Sequence, residues 1–234
     1  MKEVSVFLPC RKGSERVPKK NIKPFAGIKK GLIAIKLNQL VQVKAISNIV
    51  LSTNDEEILE YAKTLNNSKI KIHKRVESLS TSETSTDDLV NHALELVPAG
   101  HIMWTHVTSP FLNAQAYEAI IKKYFIKLDQ GYDSLMTTNL IHGFLWKDVS
   151  PINYNRELEK WPRTQTLEPI HELNSGAFLA STCIYKDLQD RIGEKPYLYI
   201  LDKIQGFDID WKEDFEIAEC LYKHFMHVKD KVYE

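Results

Sequence analysis

Strand-like apolar runs at residues 4–9, 47–52, 70–73, 101–105 and 133–138 alternate with stretches of helical period at about 30–45, 55–65, 86–96 and 114–128. When a helix separates each pair of strands, the chain crosses over before the next strand begins, and crossovers of that kind lay strands parallel. The expected architecture is α/β: a Rossmann-like, three-layer fold with a mostly parallel sheet. Two of the helical stretches carry local support. The one after Asn54 has Asp55 near its cap and buries Ile58, Leu59, Ala62 and Leu65 on one face. Asp87 and Asp88 open another, with Leu89, Val90, Ala93, Leu94 and Val97 behind them. At 234 residues and 43% hydrophobic content the chain can bury one large core, so a single domain over 1–234 is expected. No internal repeat, low-complexity segment or flexible linker interrupts it.

The first strand empties into a basic loop. Val4-Ser5-Val6-Phe7-Leu8-Pro9-Cys10 runs straight into Arg11-Lys12-Gly13-Ser14-Glu15-Arg16-Val17-Pro18-Lys19-Lys20-Asn21. Ligands of open α/β sheets bind at the carboxyl ends of strands. Gly13 allows close backbone approach, Ser14 offers a hydroxyl donor, and Pro18 fixes the loop's exit, so the loop suits a polyphosphate and, by extension, a nucleoside triphosphate. A plain solvated patch of Lys and Arg is the competing reading, and the position directly after a buried strand favours the ligand site. Neither a Walker run nor a GxGxxG fingerprint occurs in the chain.

Thirty-one basic residues are balanced by 31 acidic ones, so the cationic loop is a local feature and a nucleic-acid partner is not expected. No apolar run approaches the roughly 20 residues of a membrane span. Cys10, Cys183 and Cys220 are far apart and form no CxxC, which, with no signal peptide in view, leads to the expectation of a reducing cytoplasm. Cys10, at the end of an apolar strand, reads as a small packing residue and not as a nucleophile.

Near the other end, Asp208-Ile209-Asp210 brings two carboxylates to one side of an extended segment. Two such groups suit a hard cation: Mg2+ takes one or two protein carboxylates and completes its octahedron with water and substrate phosphates. Glu213, Asp214 and Glu216 follow in what reads as the first turns of a terminal helix, where acids favour the dipole.

Arg11-Lys12-Gly13-Ser14 with Pro18-Lys19-Lys20-Asn21 resembles the opening motif of the CMP-sialic acid synthetases, the acylneuraminate cytidylyltransferases. Further similar segments follow in order across nearly the whole chain: Ile49-Val50-Leu51-Ser52-Thr53-Asn54-Asp55, then Thr108-Ser109-Pro110, then Phe207-Asp208-Ile209-Asp210. The resemblance implies a nucleotidyltransferase fold and attack of an acidic sugar's anomeric hydroxyl on the α-phosphorus of CTP, with loss of pyrophosphate and no covalent enzyme intermediate. Residue by residue it implies Arg11, Ser14, Lys20 and Asn21 as the triphosphate loop. It gives catalytic weight to Arg11, Lys20 and Asp210, assigns Asp208 and Asp210 to Mg2+, and places Arg75 and Thr86 at the base and ribose. For Thr84-Ser85-Thr86, helix capping ahead of Asp87 competes with that role.

The acceptor side departs from the family pattern. His106-Val107-Thr108-Ser109-Pro110 stands where the family usually has Gln-Pro-Thr-Ser-Pro, Asn174-Ser175-Gly176 where it runs Asn-Gly, and Ser82-Glu83 where an Asp is common. The resemblance gives His106, Arg163, Gln165 and Asn174 as acceptor contacts, with Arg163 for the sugar's carboxylate. For His106, a hydrogen bond within the core is an equal alternative. Residues 139–173 mix aromatic, Pro, His and charged residues without a period, as an insertion would. In the resembled family that segment pairs with a second subunit and covers the neighbour's sugar site, so a homodimer is implied. Phe144, Trp146, Tyr154 and Trp161 either line that interface or pack within the insertion. Alternatives to a sialic-acid-like acceptor are Kdo or a phosphonate, although the Kdo enzymes' Arg-x-x-Ser-x-Arg-Leu-Pro-Gly-Lys loop differs at Lys19-Lys20-Asn21. A non-catalytic nucleotide-binding homologue ranks last, because the charged residues are all present.

Overall fold

In the computed structural model, which describes residues 3–231, the expected strands are β1 (Val4–Pro9), β2 (Ile46–Thr53), β3 (Ile70–Lys74), β4 (His101–Trp104) and β5 (Ser134–Ile141). The helices between them are α1 (Gly31–Val41), α2 (Glu56–Thr64), α3 (Thr86–Leu96) and α4 (Ala114–Leu128). The helix expected to reach residue 45 ends at Val41 because the backbone N–H groups of Lys44 and Ala45 turn to the carboxylate of Glu118 on α4. The rest of the chain adds a small hairpin of β6 (Trp146–Lys147) and β7 (Ser150–Pro151), then β8 (Ile170–Ser181), α5 (Thr182–Leu188), β9 (Pro196–Ile200) and the terminal helix α6 (Lys212–Lys231).

The seven main strands form one sheet in the order β3-β2-β1-β4-β8-β5-β9. β8 runs antiparallel to both of its neighbours, and the other pairings are parallel, as the alternation of elements requires. Strand order reverses at β1: the chain goes outward to β2 and β3, then returns to place β4 on the other flank. Such a switch point opens a crevice beyond the strands' carboxyl ends.

Both sheet faces are covered, so the strands are apolar on both sides. Val4, Val6 and Leu8 of β1 join α1, α2, α4 and α6 in one core. Phe7, pointing the other way, packs with Val90, Ala93, Trp104, Phe178 and Tyr185 beneath α3 and α5. Side-chain caps start four helices, with Asp55 on α2, Ser85 on α3, Asn113 on α4 and Ser181 on α5.

The insertion expected over 139–173 is narrower in the structure. β5 runs to Ile141 and β8 begins at Ile170, so 142–169 lies outside the main sheet. A bulge interrupts β8 as well: between the Met136–Phe178 and Thr138–Leu173 pairs, β5 advances two residues while β8 advances five. Asn174-Ser175-Gly176 lies inside that bulge. Asn174 holds it, accepting at Oδ1 from Thr137 Oγ1 (2.6 Å) and Gly176 N (3.1 Å) and donating from Nδ2 to Asn139 Oδ1 (2.9 Å).

Candidate active site

The crevice between β1 and β4 holds a cavity of about 400 Å³. Its floor comes from Pro9 and Cys10 at the end of β1 and from Trp104 and His106 at the end of β4. Arg11, Ser14, Arg16, Lys20 and Asn21 of the basic loop form one wall, and Arg75, Ser82, Thr86 and Leu89 another. Five cationic side chains, Arg11, Arg16, Lys20, Arg75 and Arg191, face a single carboxylate, Glu15, among the lining residues. In a chain of zero formal charge that imbalance makes the cavity an anion site.

The loop is held from several directions. Lys12 N donates to Asn54 Oδ1 at 2.8 Å, and Asn54 Nδ2 continues to Glu77. Asn21 Nδ2 donates to the Arg11 carbonyl at 3.0 Å, so Asn21 shapes the loop from within while also lining the cavity. Gly13 adopts φ +82°, a conformation that favours glycine. A second cavity of about 180 Å³ lies on the loop's other side, between Lys12, Gly13, Lys19 and the acidic start of α2, and shares Arg11, Ser14 and Asn21. Lys19 is committed there to Glu57.

Asp208 and Asp210 approach from the segment before α6. Ile209 N donates to the carbonyl of Thr108, and Lys20 Nζ to the carbonyl of Ile209 at 2.6 Å, so the residue between the two carboxylates is tied to both the Thr108-Ser109-Pro110 turn and the basic loop. Asp210 Oδ1 lies 3.4 Å from Arg16 and 3.8 Å from Lys20. Burial pushes Lys20 below its ordinary value, and Asp210 and Asp208 pull it back. Arg16 also sits over the Trp211 ring at 4.7 Å. Among the described residues no group of three or more His, Cys, Asp or Glu forms a metal cluster. A pair of carboxylates beside a phosphate-sized cationic wall is the donor set that Mg2+ shares with a triphosphate.

Arg75 is buried, with Nε donating to Ser80 Oγ at 3.1 Å, and its charge lies beside Cys10. Burial raises the Cys10 thiol to about 12 despite that charge, so Cys10 stays protonated and serves as packing. Within Thr84-Ser85-Thr86 the roles separate. Ser85 caps α3 through a reciprocal box with Asp88, Thr84 closes a turn with Thr81, and Thr86 alone of the three lines the cavity.

His106 Nε2 lies 2.7 Å from Trp104 Nε1. An indole can only donate, so Nε2 accepts and the imidazole proton belongs on Nδ1. Burial, with Arg191 adding to it, lowers the ring to about 4, so His106 is neutral near pH 7. Arg163 and Gln165 are exposed on 142–169, around a short 3-10 turn. With Asn174, engaged in its bulge, they stand outside the cavity lining, as do Asp208 and Asp210, which reach it through the Asp210 contacts to Arg16 and Lys20. Sequence reasoning missed Arg191, which belongs to none of the motifs, and counted Arg16 among the loop's cations without giving it a site role.

A family model described as cytidylyltransferase matches residues 5–144, more than half of the chain. The chain belongs to the cytidylyltransferase family. A pseudaminic acid cytidylyltransferase of Campylobacter jejuni subsp. jejuni (strain 81-176) is 28% identical over 230 residues, covering 93% of this chain and 95% of that protein. N-acylneuraminate cytidylyltransferase A of Danio rerio is also 28% identical, covering 98% of this cytidylyltransferase and 53% of the fish protein. Among solved structures, CMP:2-keto-3-deoxy-manno-octonic acid synthetase complexed with CTP superposes with a TM-score of 0.65 at 16% identity, over 95% of this chain and 99% of that one. At that identity the superposition shows the fold: the mostly parallel sheet is a cytidylyltransferase sheet.

Proposed function

We propose that this cytidylyltransferase transfers CMP from CTP to the anomeric hydroxyl of an acidic, sialic-acid-like nonulosonic sugar and releases pyrophosphate. The observation that carries the reading is the cavity at the switch point, where five cations converge and two of them, Arg16 and Lys20, lie beside Asp210. Arg11, Ser14, Lys20 and Asn21 bind the triphosphate. Arg75 and Thr86 lie farther toward β3 and α3, on the side assigned to base and ribose. His106 presents a neutral N–H to the acceptor. Full-length similarity to a pseudaminic acid enzyme supports the sugar class.

Asp208 and Asp210 are the residues that would hold Mg2+, which supplies charge neutralisation on the phosphates when bound. The protein's own share is positioning. Arg11 and Lys20 fix the phosphate chain for in-line attack and offset the charge that develops as pyrophosphate departs. No nucleophilic side chain is needed, and the cavity's one thiol, Cys10, is held protonated.

Two coarser features belong to the same proposal. The segment 142–169 exposes Val149, Leu158 and Trp161, and a second copy of the chain is the partner proposed for it. Three free cysteines fit a reducing cytoplasm as the compartment, and no helix among the described residues is long and apolar enough to cross a membrane.

The test is Mg2+-dependent pyrophosphate release from CTP, with ATP, GTP and UTP as controls, against nonulosonic acids, Kdo and phosphonates. Release with CTP and a nonulosonic acid alone is expected. Turnover of Kdo or a phosphonate in its place would replace the acceptor, and absence of CTP binding by calorimetry would end the enzymatic reading.

A further inference from the structure

Arg191 lies in the loop after α5, outside every motif that suggests a nucleotide site, yet it lines the same cavity. Its guanidinium is 4.8 Å from the Trp104 ring centre and 3.9 Å from that of Phe178, so it is stacked over β4 and β8. Stacking occupies the face of the group and leaves its in-plane N–H donors for a partner. Among the described residues no hydrogen bond or ion pair uses them, although Arg16, Lys19 and Lys20 all meet carboxylates. A partly buried, unpaired guanidinium loses hydration without recovering it from the protein, and an arriving anion restores the balance.

The loop that carries Arg191 is fixed on its far side. Gly193 N donates to Ser134 Oγ at 2.9 Å, and Lys195 N to Asp133 Oδ2 at 2.9 Å. A side chain at position 193 would run into the Asp133 carboxylate, so glycine is what lets the loop lie this close. Backbone anchoring and aromatic stacking together hold the guanidinium in place before anything binds, which lowers the entropic cost of binding.

Position in the sheet decides which anion it meets. Along β3-β2-β1-β4-β8, Arg75 lies at the β3 end and Arg191 over β4 and β8, with the triphosphate loop of β1 between them. A nucleotide anchored on that loop and extending toward Arg75 leaves the β4–β8 side to the second substrate, where His106 also lies. Resting on the function proposed above, we infer that Arg191 is the residue that binds the acceptor's carboxylate, as a planar fork meeting it through two N–H donors. Arg163, exposed on 142–169, is not required for that contact within one chain.

The experiment compares wild type with Arg191→Gln and Arg191→Lys, using pseudaminic acid and N-acetylneuraminic acid, each beside its C1 carboxamide, and Mg2+-CTP affinity by calorimetry. Wild type is expected to prefer acid over carboxamide by on the order of 100-fold in kcat/KM. Arg191→Gln should lose about that factor on the acid, mainly in KM, and nothing on the carboxamide, while CTP affinity stays within about twofold. Should Arg191→Gln fail to melt cooperatively, Arg191→Lys decides: it keeps the charge without the fork and should lose roughly tenfold on the acid only. Undiminished discrimination in a folded variant, or loss of CTP affinity in place of acid recognition, overturns the inference and leaves the function standing. Absence of turnover by wild type with either acid overturns the function, and the inference with it.

Discussion

Lys36 is fully buried in α1, its ammonium donating to the Ser109 carbonyl at 2.7 Å and to Tyr117 Oη at 2.5 Å. It braces from beneath the turn whose Thr108 carbonyl receives Ile209 N, and so supports the Asp208–Asp210 segment through one intermediate contact. Burial lowers it to about 7 from an ordinary 10.5, against an opposing pull from Asp208. The unfolded chain therefore holds this proton more tightly than the fold does, and stability from this group rises as pH climbs from about 7 toward 10.5. Below about 7 the penalty is constant. Lys36→Met removes the titration, so the wild-type-minus-variant unfolding free energy from urea melts should climb between pH 7 and 10, by at most about 1.4 kcal/mol per pH unit. A flat difference would mean that Lys36 titrates normally. At the same scale, Asp210→Ala removes a half-exposed pair with Arg16 and a longer one with the largely buried Lys20, and should change stability by less than about 1 kcal/mol. Turnover should fall on the order of 100-fold or more, as for loss of a group that stabilises charge in the transition state. Asp208→Ala should behave alike, and near-normal activity in both would refute their assignment to Mg2+. Lys20→Ala should weaken CTP binding by roughly 10- to 100-fold, the loss of a charge-assisted contact, and unchanged affinity by calorimetry would remove Lys20 from the triphosphate site.

Elements differ in how openly the sequence announces them. α3 spans the expected 86–96, because Ser85 and Asp88 form a local capping box whose chemistry is readable within four residues. Ser85→Ala should cost about 1 kcal/mol and lower the melting temperature by roughly 2–4 °C in a domain of this size. It should also raise KM for CTP, since Thr86 at the helix start lines the cavity. A variant with an unaltered melting curve would show that Asp88 and backbone water contacts suffice. β8 is the opposite case. Its first four residues, Ile170-His171-Glu172-Leu173, are half-buried or exposed, and the bulge at Asn174 breaks the period of two, so the strand could not be told from the insertion. Its partners β4 and β5 fix it, at separations of tens of residues. The candidate site divides likewise: the basic loop and the Asp208–Asp210 pair stand out in local pattern, whereas Arg75 and Thr86 were named only through the family resemblance, and the structure sets the loop residues, Arg75 and Thr86 around one cavity. Arg191 was not legible, because its meaning comes from Trp104 and Phe178, which only the fold places beside it.

For the whole molecule, local packing accounts for part of the aromatic set in 142–169. Phe144 packs edge-on against Tyr154 at 5.2 Å and Trp161 at 5.5 Å, and Arg156 lies over Trp146 and Trp161. Local packing thus gives the segment a shape. It leaves Leu158 at 86% and Trp161 at 68% exposed, with Val149 at 88%, a set of large apolar groups on one stretch that a lone chain gains nothing by presenting to water. A second copy meeting this segment would bury them, and would bring an exposed Arg163 and Gln165 toward a neighbouring subunit. The paired substitution Leu158→Asp and Trp161→Asp places charge in that contact, where burial without a partner is costly. Sedimentation analysis is expected to show a wild-type dimer and a monomeric variant with an intact melting transition. If the neighbour's Arg163 and Gln165 act on the acceptor, the monomer should retain CTP affinity and lose acceptor kcat/KM. If the cavity is complete within one chain, as the placement of Arg191 and His106 implies for the carboxylate, the loss will be confined to other parts of the sugar, and the preference for acid over carboxamide will survive in the monomer. A monomeric wild type would remove the second copy from the proposal and leave the apolar segment without that partner.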